Sequence, residues 1–359
     1  MPLRGSDRSR TRHETPRWPF MLIIVGLLAG MTTSVLVSRA VAFTPASPAS
    51  PGAPAAVSTS AVSAQPGGPA PDPNVVSRVP TVDPGPAADA GPDLSSLTAR
   101  LQETLSRQEG LYGVYVIDVA TGVGTGINAD TVFPTASTVK LPIVMYVLNQ
   151  VEQGKTSLAE MIAYDPSDWE DGTGILQDEV HEGLSLRVQR LVDLAITESD
   201  NIATNMLVRH FGADSIAAYM ERLGGTVTRN GGVWSTTPRE MAGYMQQAHS
   251  AATLRDPALR RFLRDLLAST VFADRAAAGV PAGVKVEHKI GTLPNVVNDV
   301  ALVIGPQRSF IISALSMDVI MEEAPQVIAE VTRIVYDFET ALGPATPPVS
   351  AGGRGLSPG

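Results

Sequence analysis

The chain contains no cysteine, which removes disulfides, thiolate metal sites and a cysteine nucleophile together. Histidine is scarce, five in 359 residues, and never occurs in a His-x-x-x-His pattern, so a zinc site is not expected. Neither a metal nor a cofactor is called for. Lysine is confined to Lys140, Lys155, Lys285 and Lys289 in a chain otherwise rich in arginine. Arginine stays protonated and cannot serve as a base, whereas a desolvated lysine can, so each lysine is worth locating. Positive charge is in deficit overall, and a formal charge of −9 argues against nucleic acid as a partner. No internal repeat is present.

What is there divides by composition. Residues 1–19 form a basic tail with Arg4, Arg8, Arg10, Arg12 and Arg17 against Asp7 and Glu14. Residues 20–38 are apolar and uncharged, and as a helix they would span roughly 28 Å, close to the hydrocarbon thickness of a bilayer. The basic flank puts the N-terminus in the cytoplasm and everything after Arg39 outside. The run exceeds a usual signal-peptide core and reads as a retained anchor; the alternative is secretion after cleavage near Ala42, where Ala40-Val-Ala42 resembles a cleavage site. Residues 39–92 are dense in Pro, Ala, Ser and Gly and too poor in large apolar residues to fold. Such a linker would reach roughly 40 Å, more where proline extends it. Residues 343–359 read as a disordered tail.

That leaves 93–342 as the folded domain, and with 44% hydrophobic residues in the chain it can bury a proper core. Leucines at 94, 97, 101 and 105 predict a helix, followed by a strand over 113–119 and a glycine-rich turn, 120–126, into a short partner strand. A helix is expected over 137–153, with Pro142 near enough its first turn to be tolerated. The acidic stretch 165–183 lacks calcium-loop spacing and reads as a solvated loop. Helices are expected over 184–198, 202–211 and 214–223, and residues 226–234 read as an irregular link to a helix opening at Pro238. Three strands, 284–293, 297–304 and 310–317, separated by turns, should be consecutive and antiparallel. An amphipathic helix over 322–342 closes the domain.

Ser137 and Lys140, in Pro134-Thr-Ala-Ser-Thr-Val-Lys140, stand three residues apart at the mouth of an apolar helical run, on one face and one turn apart. A serine at a helix start lies beside an amine able to take its proton and beside unpaired backbone N–H groups able to hold an oxyanion. Two further motifs follow in order, Ser199-Asp-Asn201 and His288-Lys-Ile-Gly-Thr292. Ser-x-x-Lys, Ser-Asp-Asn and Lys-Thr-Gly together mark class A β-lactamases and penicillin-binding proteins. Over about residues 93–342 the chain resembles that superfamily, and the segments Thr197–Leu207, Thr236–Ala242 and Gly291–Val300 agree with it.

The resemblance implies an α+β fold of two lobes, an antiparallel sheet of about five strands flanked by helices and a mainly helical lobe, with the site in the cleft between. It implies Ser137 as nucleophile, Lys140 as the group that accepts its proton or holds its position, Ser199 as proton donor to the departing nitrogen, and Lys289 as partner of the substrate carboxylate and support of Ser199. Asn201 would bind the substrate's side-chain amide, and the N–H groups of Ser137 and Thr292, beside Gly291, would hold the oxyanion. Asp200 would hold its loop through backbone hydrogen bonds.

Two departures bear on the chemistry. Ile290 replaces the threonine of Lys-Thr-Gly, whose hydroxyl helps hold a carboxylate; Thr292 could supply a replacement. The segment 226–235 is short and contains no carboxylate, where class A β-lactamases carry the glutamate that activates the deacylating water, and Glu221 and Glu240 flank it without fitting that role. The expected function is a serine hydrolase acylated by β-lactams at Ser137 and hydrolysing the lactam amide. The first alternative is a D-alanyl-D-alanine peptidase-like penicillin-binding protein that clears β-lactams slowly, and the second a non-catalytic wall-binding protein with a vestigial site. The expected partners are a β-lactam or D-Ala-D-Ala-like peptide and, through residues 20–38, the membrane; the protein is expected to be monomeric and extracytoplasmic.

Overall fold

The computed structural model describes residues 92–230 and 233–344. The expected basic tail, membrane anchor, most of the linker and nearly all of the C-terminal tail lie outside these residues. Among the described residues no helix is long and apolar enough to cross a membrane.

In chain order the elements are α1 (Ser95–Leu105), β1 (Leu111–Asp118), β2 (Gly124–Ile127), β3 (Phe133–Pro134), a 3-10 turn (Ala136–Val139), α2 (Lys140–Glu152), β4 (Met161–Ala163) and β5 (Ser185–Arg187). Then come α3 (Val188–Thr197), α4 (Asn201–Phe211), α5 (Ala213–Arg222), β6 (Arg229–Asn230), β7 (Val233–Thr236), α6 (Pro238–Ala248) and α7 (Pro257–Ala268). The chain closes with β8 (Lys285–Leu293), β9 (Val296–Ile304), β10 (Ser309–Met317) and α8 (Ala324–Ala341).

The main sheet has five antiparallel strands in the order β2-β1-β10-β9-β8, the α+β arrangement expected. Both of its faces are covered, which is why β9 and β10 read as nearly unbroken apolar runs. Successive residues of β9 point to opposite faces. Val300 and Leu302 join Ile117 and Ile311 in the core shared with α2 to α7. Ala301 and Val303 join Phe310 and Ile312 in a second core, against α1 and α8. Helix α2 is buried from Lys140 through Leu148, and a helix apolar on every side belongs at the centre of its lobe.

Several elements differ from their sequence expectation. The nucleophile segment enters α2 through the 3-10 turn rather than as continuous α-helix. Ser185–Arg187, expected as helix, pairs with Met161–Ala163 as a small ribbon, so α3 begins only at Val188. The supposed irregular link 226–234 contains a hairpin, β6 on β7, and β7 also pairs with β3. Helix α7 was not expected, although Asp256 caps it, Pro257 opens it and Leu259, Leu263, Leu266 and Leu267 are its buried stripe.

A buried charge cluster fastens α8 to the sheet. Arg308, before β10, donates from Nε to Asp118 Oδ2 at 2.8 Å and to Glu339 Oε2 at 3.1 Å, with both carboxylates almost wholly buried. Burial, and then the neighbouring Asp118 carboxylate, push the Glu339 carboxyl up from 4.5 to about 7. The native state therefore holds a proton that the unfolded state releases between those values, so stability falls as pH rises across that window and is level above it. At 1.36 kcal/mol per pH unit the loss is about 3 kcal/mol. Glu339→Gln, neutral at every pH, is expected to melt several degrees above wild type at pH 8 and level with it at pH 4.5, read by thermal unfolding at the two pH values.

Candidate active site

The nucleophile segment is held from three sides. Pro134 and Thr135 offer their carbonyl oxygens to Asn298 Nδ2 of β9 at 2.9 and 3.2 Å, and Thr135 N–H donates to Trp234 O at 3.1 Å. Ala136 then takes a left-handed φ of 46°, a conformation that costs a non-glycine residue energy and persists only where surroundings enforce it. The third side is β8, the edge strand. A Cβ built on Gly291 would lie 2.8 Å from Ser137 N and 2.9 Å from both Thr135 O and Thr138 N, so only glycine lets the strand lie flush against the turn that carries Ser137.

Ser199-Asp-Asn201 is built as a helix junction. After α3, Ser199 adopts φ 54°, the second strained non-glycine residue of the site. Asp200 caps α4 by accepting from Ala203 N–H at 2.8 Å, and its other oxygen accepts from Ile175 and Leu176 N–H at 2.8 and 2.9 Å. Asp200 thus holds the loop through backbone bonds, as the sequence suggested. Asn201 becomes the first residue of α4 and turns its carboxamide toward Lys140.

The two lysines converge on this junction. Lys140 Nζ donates to Ser199 O at 2.5 Å and to Asn201 Oδ1 at 2.7 Å, with Ser199 Oγ at 3.4 Å. Lys289 Nζ donates to Ser199 Oγ at 2.9 Å and to Ile290 O at 2.8 Å. Both amines are buried. Burial lowers Lys140 to about 8, with Asp200 and Glu170 working in the opposite direction. Burial also pulls Lys289 well below the ordinary lysine value, and the charge of Lys140 adds to that.

All seven residues singled out in the sequence meet here. Ser137, Lys140, Asn201 and Thr292 line a cavity of about 690 Å³, while Ser199, Lys289 and Gly291 stand immediately behind its wall. Val233, Trp234, Leu293, Pro294 and Met321 give the cavity an apolar side. Ile290 is buried away from the opening. Among the described residues no group of acidic residues and histidines could hold a metal ion.

Sequence reasoning missed other parts of the site. Buried Arg275 donates from Nη1 to Gly291 O at 2.9 Å and to Asn298 O at 2.7 Å, and from Nη2 to Thr292 Oγ1 at 2.7 Å. It stiffens β8 and puts a cation directly behind the Thr292 hydroxyl. The acidic stretch read as a solvated loop is a wall of the cavity. Arg209 grips Asp168 with a two-pronged contact at 2.7 and 2.8 Å, Thr173 donates to Ser199 O at 2.6 Å, and Asn201 Nδ2 donates to Asp171 O at 2.9 Å. Period-based reading had no signal for this wall, because its partners lie in α4 and the junction before it and not in its own segment.

Chemically, the arrangement offers a hydroxyl at a helix start, a partly deprotonated amine, a second hydroxyl held between two amines, and backbone donors on a flush edge strand. These are the parts of nucleophilic acyl transfer.

Comparisons with known proteins agree with that chemistry. Residues 96–338 match the profile of the beta-lactamase enzyme family. The chain is similar to a beta-lactamase of Mycobacterium tuberculosis, 32% identical over 241 residues, covering 62% of this chain and 77% of that protein. It is similar in fold to the solved structure of PBP-A, with a TM-score of 0.65 and 28% identity over 69% of this chain and 97% of that one. A PBP-A mutant solved as an acyl-enzyme complex with penicillin G superposes with the same TM-score of 0.65. An ancestral class A beta-lactamase gives a TM-score of 0.63 and 32% identity, covering 67% of this chain and 99% of the other.

Proposed function

We propose, from the premise that this chain is a serine hydrolase belonging to the beta-lactamase enzyme family, that β-lactams acylate Ser137 and that the enzyme hydrolyses the lactam amide. The observation that carries the proposal is the convergence of two buried amines, Lys140 and Lys289, on Ser199 beside the Ser137 turn. Lys140, one turn along from Ser137, takes the Ser137 proton as Oγ attacks the carbonyl carbon. The N–H groups of Ser137 and Thr292 receive the oxyanion, a contribution of roughly 3–4 kcal/mol per donor. Ser199 Oγ delivers a proton to the departing nitrogen, and Lys289 replenishes it. Asn201 receives the substrate's side-chain amide.

Ile290 leaves the substrate carboxylate without its usual threonine. Thr292 serves instead, supported by the Arg275 guanidinium behind its hydroxyl and by Lys289. The apolar side formed by Trp234, Leu293 and Met321 suits a substrate with an apolar acyl side chain.

A second reading, a D-alanyl-D-alanine peptidase that clears β-lactams slowly, is favoured by the short β6–β7 hairpin, whose segment 226–235 supplies no carboxylate, and by the similarity to PBP-A. We place the domain outside the cytoplasmic membrane as a monomer tethered by residues 20–38, a reading that rests on the sequence of the N-terminal region. The test is to incubate the full chain with a fluorescent penicillin and follow label on Ser137. Label that appears and clears within seconds supports the hydrolase, persistent label supports the peptidase, and an unlabelled protein ends both.

A further inference from the structure

We propose that Glu170, on the acidic wall opposite the β6–β7 hairpin, is the general base for deacylation, holding and deprotonating the water that cleaves the Ser137 ester. The inference rests on the acylation reading above and asks what happens to the ester afterwards.

Residues 165–174 of this wall and the junction behind it carry five carboxylates, and geometry eliminates four. Asp165 accepts from Ser167 N–H and Oγ at 2.8 and 2.6 Å and caps its own turn. Asp168 is buried in the grip of Arg209. Asp171 turns its Oδ1 back onto Gly172 N–H at 2.8 Å. Asp200 is buried and saturated by three backbone N–H groups. Glu170 lines the same cavity as Ser137 and Lys140 and is water-accessible, as Asp171 is, but its carboxylate is held from α4 and not by its own loop.

Its carboxylate is also aimed. Asn205, one turn beyond Asn201 on α4, donates from Nδ2 to Glu170 Oε2 at 2.8 Å and to Asp168 O at 3.2 Å. Oε1 accepts no hydrogen bond from the described residues, which leaves it free for water. Glu170 is close enough to Lys140 for its charge to favour the protonated amine. A carboxylate fixed at one oxygen, open at the other and lining the cavity of the nucleophile is what a hydrolytic water needs.

The step balances. Water oxygen attacks the acyl carbon as its proton passes to Glu170, giving a tetrahedral oxyanion. On collapse the bond from carbon to Ser137 Oγ breaks, and Oγ takes a proton from the Lys140 ammonium. The proton on Glu170 passes by way of Lys140 and Ser199 Oγ to Lys289, which gave one up during acylation, so the carboxylic acid product leaves a regenerated site.

The test separates the two half-reactions of the full chain with a fluorescent penicillin, comparing wild type, Glu170→Gln and, as a charge control on the same loop, Glu179→Gln. Glutamine keeps an oxygen for Asn205, so the wall is expected to stay in place. Glu170→Gln should label at the wild-type rate but release label about a hundredfold more slowly, a typical effect of losing a general base; Glu179→Gln should match wild type in both. Added formate should speed release from Glu170→Ala, a readout that a merely structural carboxylate would not move. Release from Glu170→Gln within a few-fold of wild type overturns the proposal, as does wild type that labels but holds its label for hours. Both outcomes leave the acylation reading standing. A wild type that never labels overturns that reading, and this proposal falls with it.

Discussion

Replacing Lys140 with methionine is expected to slow acylation of Ser137 by about 10²–10⁴-fold, the range for losing a general base, while leaving the fold at least as stable at pH 7. The two effects have one origin. Burial holds the Lys140 amine near 8 instead of 10.5, so about a tenth of it is neutral and able to accept a proton at pH 7. The same depression means that below pH 8 the native state carries the whole cost of a buried ammonium, about 3 kcal/mol. Between 8 and 10.5 the unfolded chain binds the extra proton, so wild-type stability rises with pH across that window. Methionine removes this cost but takes a donor from Ser199 O and from Asn201 Oδ1, at about 1 kcal/mol each, so the sum is near zero or slightly favourable. The rate of labelling by a fluorescent penicillin should rise with pH in wild type and level off above about 8; Lys140→Arg, permanently protonated, should be as slow as Lys140→Met. Calorimetry should show a larger gain in stability between pH 8 and 10.5 in wild type than in Lys140→Met, where Lys289 still contributes its own. Labelling of Lys140→Met at the wild-type rate would remove the lysine from proton transfer.

Legibility in the sequence followed the range of the interactions involved. Helices α1 and α8 were readable because each is set by its own apolar period against one core, and strands β8 to β10 because their alternating or unbroken apolar runs are short and bounded by turns. Helix α7 carried an equally local signal in its Asp256 cap and leucine stripe, and its omission was a failure to use that signal. The 165–178 wall is another matter: its order comes from Arg209, Asn201 and Asn205 on α4, and no period within the loop announces such partners. The site divides in the same way. Ser137 with Lys140, and Ser199 with Asn201, are visible because the pairing is within one helix start. Arg275, Asn298 and Glu170 act across the fold, through Thr292, the carbonyls of Pro134 and Thr135, and the field at Lys140, and single-sequence spacing says nothing of those distances. That 226–235 contains no carboxylate is plain from the sequence, whereas the position of Glu170 on the cavity depends on α4.

Gly291→Ala should cost about 10²–10³-fold in acylation although it touches no titratable group. The added methyl has three backbone atoms within 2.9 Å, namely Ser137 N, Thr135 O and Thr138 N, and none of these can swing aside as a side-chain tip would. Either β8 retreats from the Ser137 turn or the turn rotates. Both movements separate the N–H of Ser137 from that of Thr292, the two donors that must converge on a single oxygen. The turn has little freedom to follow the strand, because Asn298 clamps Pro134 and Thr135 to β9 while Arg275 ties Gly291 O to Asn298 O. The strain should also lower stability by about 1–3 kcal/mol, the usual range for overpacking. A melting temperature reduced by that amount, with labelling slowed by two orders of magnitude and Lys140 still titrating near 8 in the pH–rate profile, is the expected pattern. Acylation at the wild-type rate would show that the strand and the turn need not lie flush for the oxyanion to be held, and the role given to the Thr292 N–H would have to be withdrawn.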